Sequence, residues 1–460
     1  MSGKQLIGFI LGLGSLLLGI WAPFESLEPR IQLVLGLVLF AVIFWTSEPI
    51  PLELSSLVLL LLFPALDLLS FYDSFSPFAG KTLWLVFAGM VLSLGITETG
   101  LGERLAEYLM RHLGRSPARL LLHLHLIGLV ASLMVPSGLI RILLLMPIGI
   151  AVVDYLGNRQ APLLNAAVLL SLLCSTYYGG CGVLTGTVPN LVVAGQLEKF
   201  GDRVVYWGEW LRWMFPVIGL LRTGLCFAVI WFLLGRKIQP ESLRPRTPPR
   251  ARRKFDPLQC RVLLILLLGV ALWSTDFLHQ LAPVYVALGL VLLYTLPRWG
   301  AISFADIRKV NFPFLFYIAA MFSLGTSVEA SGFNKHFIEL VSDRLPLDYF
   351  GLPASYLVLS LMVVPLDFLM DIAAVAGVIL PPMLALGQSH HMATLPVALS
   401  VAMATSLVFL PYQAAPFMVA YSYRRFSMGT LVLVMMTISL LSLLILLPLN
   451  VLYWHWAGLI

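Results

Sequence analysis

The feature that most constrains this chain is its succession of apolar runs of about twenty residues, each long enough to cross a hydrocarbon layer roughly 30 Å thick. A soluble core has no use for so many. The composition agrees: 59% of the residues are hydrophobic and 11% charged, against roughly a quarter charged in soluble domains. A multi-pass membrane protein is therefore expected. The N-terminal stretch MSGKQLIGFILGLGSLLLGIWAPF starts like a signal peptide, but no A-x-A cleavage pattern follows its long apolar run. It is predicted to be an uncleaved first span.

Hydropathy, with Pro, Gly and charge clusters as boundaries, places spans near 5–23, 31–48, 51–69, 82–101, 160–197, 213–235, 258–275, 281–297, 312–328, 392–422 and 429–452. Two longer segments, near 118–155 and 350–388, are broken at their centres by VPSGLIR and VPLDFLMD. A single crossing does not need that length, whereas a helical hairpin that enters and leaves on one side does. The prediction is an all-α polytopic protein with about eleven transmembrane helices plus two re-entrant hairpins.

The net charge of +6 is concentrated in particular loops and is read as a topology signal rather than a nucleic-acid signal. Arg104, Arg111, Arg115 and Arg119, the tract from Arg236 to Lys254, the trio Arg298, Arg308 and Lys309, and the pair Arg424 and Arg425 share one side if both hairpins re-enter. That side is the cytoplasm of a cell membrane, inner or plasma. The N-terminus is then inside and the C-terminus outside.

The Pro- and Arg-rich linker at 236–257 divides similar halves, 1–235 and 258–460. VFAGMVLSLGITETGLGERLAEYL (86–109) is echoed by YIAAMFSLGTSVEASGFNKHFIEL (317–340), and WTSEPIP (45–51) by WSTDFLH (273–279). LLMPI (144–148) meets VILPP (378–382), and GTVPNLVVAG (186–195) meets QAAPFMVAYS (413–422). Four echoes in the same order predict a repeat. An odd number of spans per half makes the second copy inverted, a transporter architecture. Each half then holds a hairpin, at about 118–155 and 350–388, and a broken helix, at about 160–197 and 392–422.

The break in the first half is GGCGVLTGTVPN, residues 179–190. Irregular backbone at membrane depth is tolerated where it lines a cavity or is buried in protein. Its carbonyls suit a cation, and the amides at the next half-helix's N-terminus suit an anion. Thr185 and Thr187 add hydroxyls, Asn190 an amide, and the glycines allow close backbone approach.

FWTSEPIPLELSSLVLLLLFPALDLL, LWLVFAGMVLSLGITETGLGERLA, GGCGVLTGTVPNL, LWSTDFLH and FLPYQAAPFMVAYSY resemble the divalent anion:sodium symporter family, which transports dicarboxylates, citrate and sulfate. The similarity covers nearly the whole chain. It implies a homodimer in the lipid bilayer, each protomer with a scaffold domain and a transport domain that moves as an elevator. It also implies that sodium and substrate meet between the hairpin tips and the broken helices. The family's hairpin tips usually carry Ser-Asn-Thr shortly before a Leu-Pro-Ile-like ending. Here the first motif falls on Ser137, Gly138 and Leu139, and the second on Asp371, Ile372 and Ala373. Only one serine is kept, so the tips depart from the pattern.

What stands there has chemistry of its own. Arg141 is a cation in an apolar hairpin; it can offer a bidentate fork to a carboxylate or sulfate, or snorkel or pair for structure. Asp367 and Asp371 lie four residues apart near the second tip and can bind sodium, share a proton, or pair for structure with Arg141 or with backbone amides. Gln413 can contact substrate or satisfy unwound backbone. The substrate-binding candidates are Ser137, Gly138, Arg141, Thr187, Pro189, Asn190, Gln413 and Pro416. The ion-coupling candidates are Ser137, Thr185, Gly186, Asp367, Asp371 and Ala373. No cofactor is expected beyond the coupling ion, sodium or a proton.

Secondary transport of a small divalent anion is the leading expectation; a cation/proton antiporter using Asp367 and Asp371 is the alternative. An enzyme is not expected. Neither H-E-x-x-H nor G-x-S-x-G occurs, and the two aspartates share one hairpin instead of facing each other. His123 and His125 lack further metal ligands, so no metal site is expected. Cys174, Cys181, Cys226 and Cys260 read as packing residues, and Arg222 either faces the cavity or stands on a scaffold helix near an interface.

Overall fold

Proline sets where many of the helices begin. It costs nothing in the first turn, where the amide has no helical partner, and its fixed φ already suits a helix. The helices Pro29–Ser47, Pro117–Met134, Pro162–Tyr178, Pro257–Ser274 and Pro283–Thr295 all start this way. The computed structural model describes residues 3–21, 28–101, 116–156, 162–239, 243, 255–342, 347, 350–369 and 371–460, and these contain no β-strand. Arg104, Arg111, Arg115 and most of the basic linker lie outside the described residues.

Each expected span is matched by helix. In the first half, Gly3–Trp21, Pro29–Ser47, Leu52–Ala65 and Lys81–Glu98 lead to a pair of helices, Pro117–Met134 and Gly138–Tyr155. Then come Pro162–Tyr178, two tight turns at Gly179–Gly182 and Leu184–Gly186, and Val188–Phe200. In the second half, Pro257–Ser274, Pro283–Thr295 and Phe314–Ala330 lead to the pair Leu352–Asp367 and Ile372–Ser389. Thr394–Ala404 follows, then an unwound stretch containing the turn Pro411–Gln413, and Ala415–Ser422.

Both halves end on a helix with a wide turn inside it, Phe215–Leu221 in one and Ser442–Leu446 in the other. Pro216 begins one of these turns and Pro448 follows the other. A proline without an amide hydrogen breaks the regular ladder and leaves room for such a bulge.

Length separates the helices into kinds. Eight described helices are long and apolar enough to cross a membrane, or nine if Phe314–Ala330 and Phe333–Glu339, bent by 68°, count as one. Leu52–Ala65 and Pro283–Thr295 have 14 and 13 residues, short of the roughly 20 a perpendicular crossing needs. The outer surface is apolar, with Leu264, Leu267, Leu292, Leu444 and Leu452 exposed. Pro162–Tyr178 is apolar for a different reason, since nearly all of it is buried inside the protein.

The halves interleave. Leu52–Ala65 packs on Phe314–Ala330, and Lys81–Glu98 on Pro283–Thr295. Both arms of the first hairpin pack on Pro162–Tyr178, and both arms of the second on Thr394–Ala404. The returning arm of each hairpin also packs on the second half-helix of the other break: Gly138–Tyr155 on Ala415–Ser422, and Ile372–Ser389 on Val188–Phe200. Two breaks and two hairpin tips are thereby drawn to one region.

Candidate functional site

The first break is shaped by glycine and repaired by side chains. At Gly186 an added Cβ would lie 2.1 Å from the Gly180 carbonyl oxygen, so only glycine fits there. Interrupting the helix frees carbonyls that lipid cannot satisfy. The Asn190 amide donates to two of them, Cys181 at 3.0 Å and Val183 at 2.8 Å. Arg141, fully buried, reaches across from the hairpin. It donates from Nε to Thr176 Oγ1 at 3.0 Å, from Nη1 to the Val135 carbonyl at 2.7 Å, and from Nη2 to the Thr176 and Gly186 carbonyls at 3.0 and 2.7 Å. The fork that the sequence offers to an anion is spent here on the protein's own oxygens.

Around this core sit the remaining first-half candidates. Ser137 caps the returning arm, its Oγ accepting from the Ile140 amide at 3.4 Å. A Cβ on Gly138 would lie 3.7 Å from the Gly186 oxygen, the Tyr177 ring and Arg141, which puts the hairpin tip against the break. Thr185 Oγ1 accepts from the Trp207 indole at 3.2 Å. Thr187 precedes Val188–Phe200 with a buried hydroxyl that has no partner among the described residues, and Pro189 is buried in that helix's first turn.

The second break uses the same logic with the parts exchanged. Gln413 is buried; its Oε1 accepts from the Phe409 and Leu410 amides at 2.7 and 2.6 Å, and its Nε2 donates to the Asp367 carbonyl at 2.5 Å. The neighbouring Tyr412 hydroxyl donates to the Phe368 carbonyl at 2.7 Å. Here the break carries the side chains and the hairpin supplies the carbonyls. Asp371 caps Ile372–Ser389, accepting from the Ala373 amide at 2.8 Å and the Tyr317 hydroxyl at 3.1 Å through Oδ1. It holds the position in its hairpin that Ser137 holds in the first. Asp367 is fully buried, and neither carboxylate oxygen has a partner among the described residues. Pro416 is buried in the first turn of Ala415–Ser422.

The two breaks touch. The Tyr178 hydroxyl donates to the Val408 carbonyl at 2.6 Å, and the Tyr177 ring meets Phe417 edge-on at 4.8 Å. Arg222 is fully buried beside the wide turn, its Nη1 donating to Ser406 Oγ at 2.6 Å and to the Ser406 carbonyl at 3.3 Å. Its Nε and Nη2 have no partner among the described residues. Arg222 thus reaches the second break. The signal was its charge within GLLRTGLCF; Tyr177, Tyr178 and Tyr317 gave none, because an aromatic before a break looks like any core aromatic. His125 is buried with Nδ1 on the Leu121 carbonyl at 2.8 Å, and no group of three His, Cys, Asp or Glu among the described residues is placed to hold a metal ion.

Interrupted helices facing hairpin tips inside an apolar shell define a polytopic membrane protein. The chain belongs to the sodium:sulfate symporter family, a family of membrane transporters: the family model described as the sodium:sulfate symporter transmembrane region matches residues 10–460. A sodium-dependent dicarboxylate transporter, SdcS, of Staphylococcus saprophyticus is 23% identical over 481 residues, covering 96% of this chain and 90% of that protein. A protein of Cupriavidus necator described as a membrane protein is 23% identical over 466 residues, covering 94% and 89%. Among solved structures, the YdaH transporter of Alcanivorax borkumensis superposes with a TM-score of 0.57 at 13% identity, over 99% of this chain and 98% of that one. That likeness concerns the fold.

Proposed function

We propose that the protein is a secondary active transporter of small divalent anions of the dicarboxylate or sulfate class, coupled to sodium or protons. The observation that carries this reading is that each hairpin is bonded to a break, Arg141 to Gly186 and the Asp367 carbonyl to Gln413, while Tyr178 and Val408 join the two breaks. Amides at the start of Val188–Phe200 and Ala415–Ser422, beside Thr187, Asn190 and Pro416, suit a dianion. Carbonyls and Asp367 with Asp371 suit the coupling cation. Family membership and the name of the staphylococcal relative support the same substrate class.

The architecture completes the proposal. The order of elements over 29–233 recurs over 257–457, which supports two repeats, 1–235 and 258–460, joined by the linker at 236–257. With the second repeat inverted, hairpins and broken helices form a transport domain that slides as an elevator against a scaffold, within a homodimer. The N-terminus is cytoplasmic and the C-terminus outside.

The test is uptake of labelled succinate and of labelled sulfate into proteoliposomes, with sodium and proton gradients imposed separately. Uptake of either anion driven by either gradient supports the reading. Gradient-driven cation or proton flux without anion uptake instead supports an antiporter, which the unpartnered oxygens of Asp367 favour as the second reading.

A further inference from the structure

The bonds of Arg141 come from three places: the hairpin tip at Val135, the last turn of the half-helix at Thr176, and the break at Gly186. Three carbonyl oxygens and the Thr176 hydroxyl converge on one guanidinium. Among the described residues, no carboxylate forms an ion pair with it. A buried arginine kept for packing ordinarily finds a carboxylate, since a buried charge without compensation is costly. Here the compensation is dipolar. Unwound carbonyls and the C-terminal end of a half-helix carry partial negative charge, and such oxygens replace the hydration shell of alkali cations in membrane proteins.

The cage is also fitted to what fills it. A Cβ on Gly180 would stand 2.5 Å from Nη2, so the glycine leaves the space that the guanidinium takes. In the second half, the residue four places after the hairpin cap is Val375, which cannot do the same. That tip brings carboxyl groups instead, Asp371 and Asp367, the latter with no hydrogen-bond partner among the described residues.

We propose that the Arg141 guanidinium is a tethered cation occupying a carbonyl cage that would otherwise hold an alkali cation, so that the first break needs no sodium ion. This rests on the reading of a cation-coupled carrier, and it assigns the exchangeable cation to the second tip, at Asp367 and Asp371. The first half then keeps a permanent positive charge at its break through the whole cycle.

The test is thermal unfolding of the purified protein in sodium chloride against choline chloride, with no substrate present. The wild-type response, arising at the second tip, is the baseline. Arg141→Ala is expected to lose several degrees in choline and to regain most of them in sodium, a larger sodium response than wild type. Millimolar methylguanidinium in choline should restore it as well. Arg141→Lys, which keeps a cation in the cage, should show only the baseline response.

A sodium response of Arg141→Ala equal to wild type overturns the proposal, as does aggregation of that variant in both salts, because sodium must be able to take the vacated cage. An enlarged response in Arg141→Lys overturns it too. The readout does not involve an anion, so failure of the transport reading appears in the uptake assay and not here.

Discussion

The side-chain amide of Gln413 donates to the main-chain carbonyl of Asp367 across 2.5 Å while its oxygen accepts from the Phe409 and Leu410 amides. One side chain therefore holds an unwound helix open and pins a hairpin tip to it. Gln413→Ala leaves two main-chain donors, one buried at Phe409 and one partly buried at Leu410, and one acceptor without this partner, at about 1–3 kcal/mol for each group that water does not reach. We expect amide exchange at Phe409 and Leu410 to accelerate at least tenfold and the unfolding midpoint to fall. Gln413→Glu keeps the two accepting bonds, so it should protect those amides while still losing the Asp367 contact.

Asn190 performs the corresponding repair at the first break, donating to the Cys181 and Val183 carbonyls. Asn190→Asp should be worse than Asn190→Ala. The alanine removes the donors at about 1–3 kcal/mol; the aspartate puts acceptors against acceptors. Thermal unfolding of both variants in detergent gives the order, and equal midpoints would remove the donor role.

Gly186 sits where a Cβ would be 2.1 Å from backbone oxygen, an atom that cannot rotate away. Gly186→Ala is expected to cost about 3 kcal/mol or more through forced backbone shifts and to abolish uptake. Folded yield by size exclusion, measured beside uptake, checks both.

Tyr178 ties one break to the other through the Val408 carbonyl, which also accepts from Ser439 Oγ at 2.8 Å. Because that carbonyl keeps a partner, Tyr178→Phe should cost only about 0.5–1.5 kcal/mol. Uptake should change more than stability if the two breaks move as one body. A midpoint drop beyond that range, with uptake intact, would contradict this.

Asp371 caps the returning arm of the second hairpin and also receives the Tyr317 hydroxyl. An asparagine caps as well as an aspartate, so Asp371→Asn should leave stability within about 0.5 kcal/mol while changing the cation dependence of uptake. Asp371→Ala should lose about 1 kcal/mol in addition. Unaltered sodium and pH dependence in the asparagine variant would confine Asp371 to capping.

The sequence by itself determined the class and the plan of the chain. Repeated apolar runs of about twenty residues marked a membrane protein, and proline and glycine mark where backbone must deviate, so GGCGVLTGTVPN and LPYQAAP were legible as breaks. These are local consequences of a missing Cβ or a missing amide hydrogen. Tertiary structure decided which polar groups meet. Arg141 and Arg222 are both single charges in apolar runs, yet one cages itself in the carbonyls of the first break and the other crosses to Ser406 in the second. Asp367 and Asp371 lie one helical turn apart in sequence, yet one is left unpartnered and the other caps a helix. Burial and partner are properties of the packed interior, set by neighbours tens to hundreds of residues away, and no spacing along the chain encodes them.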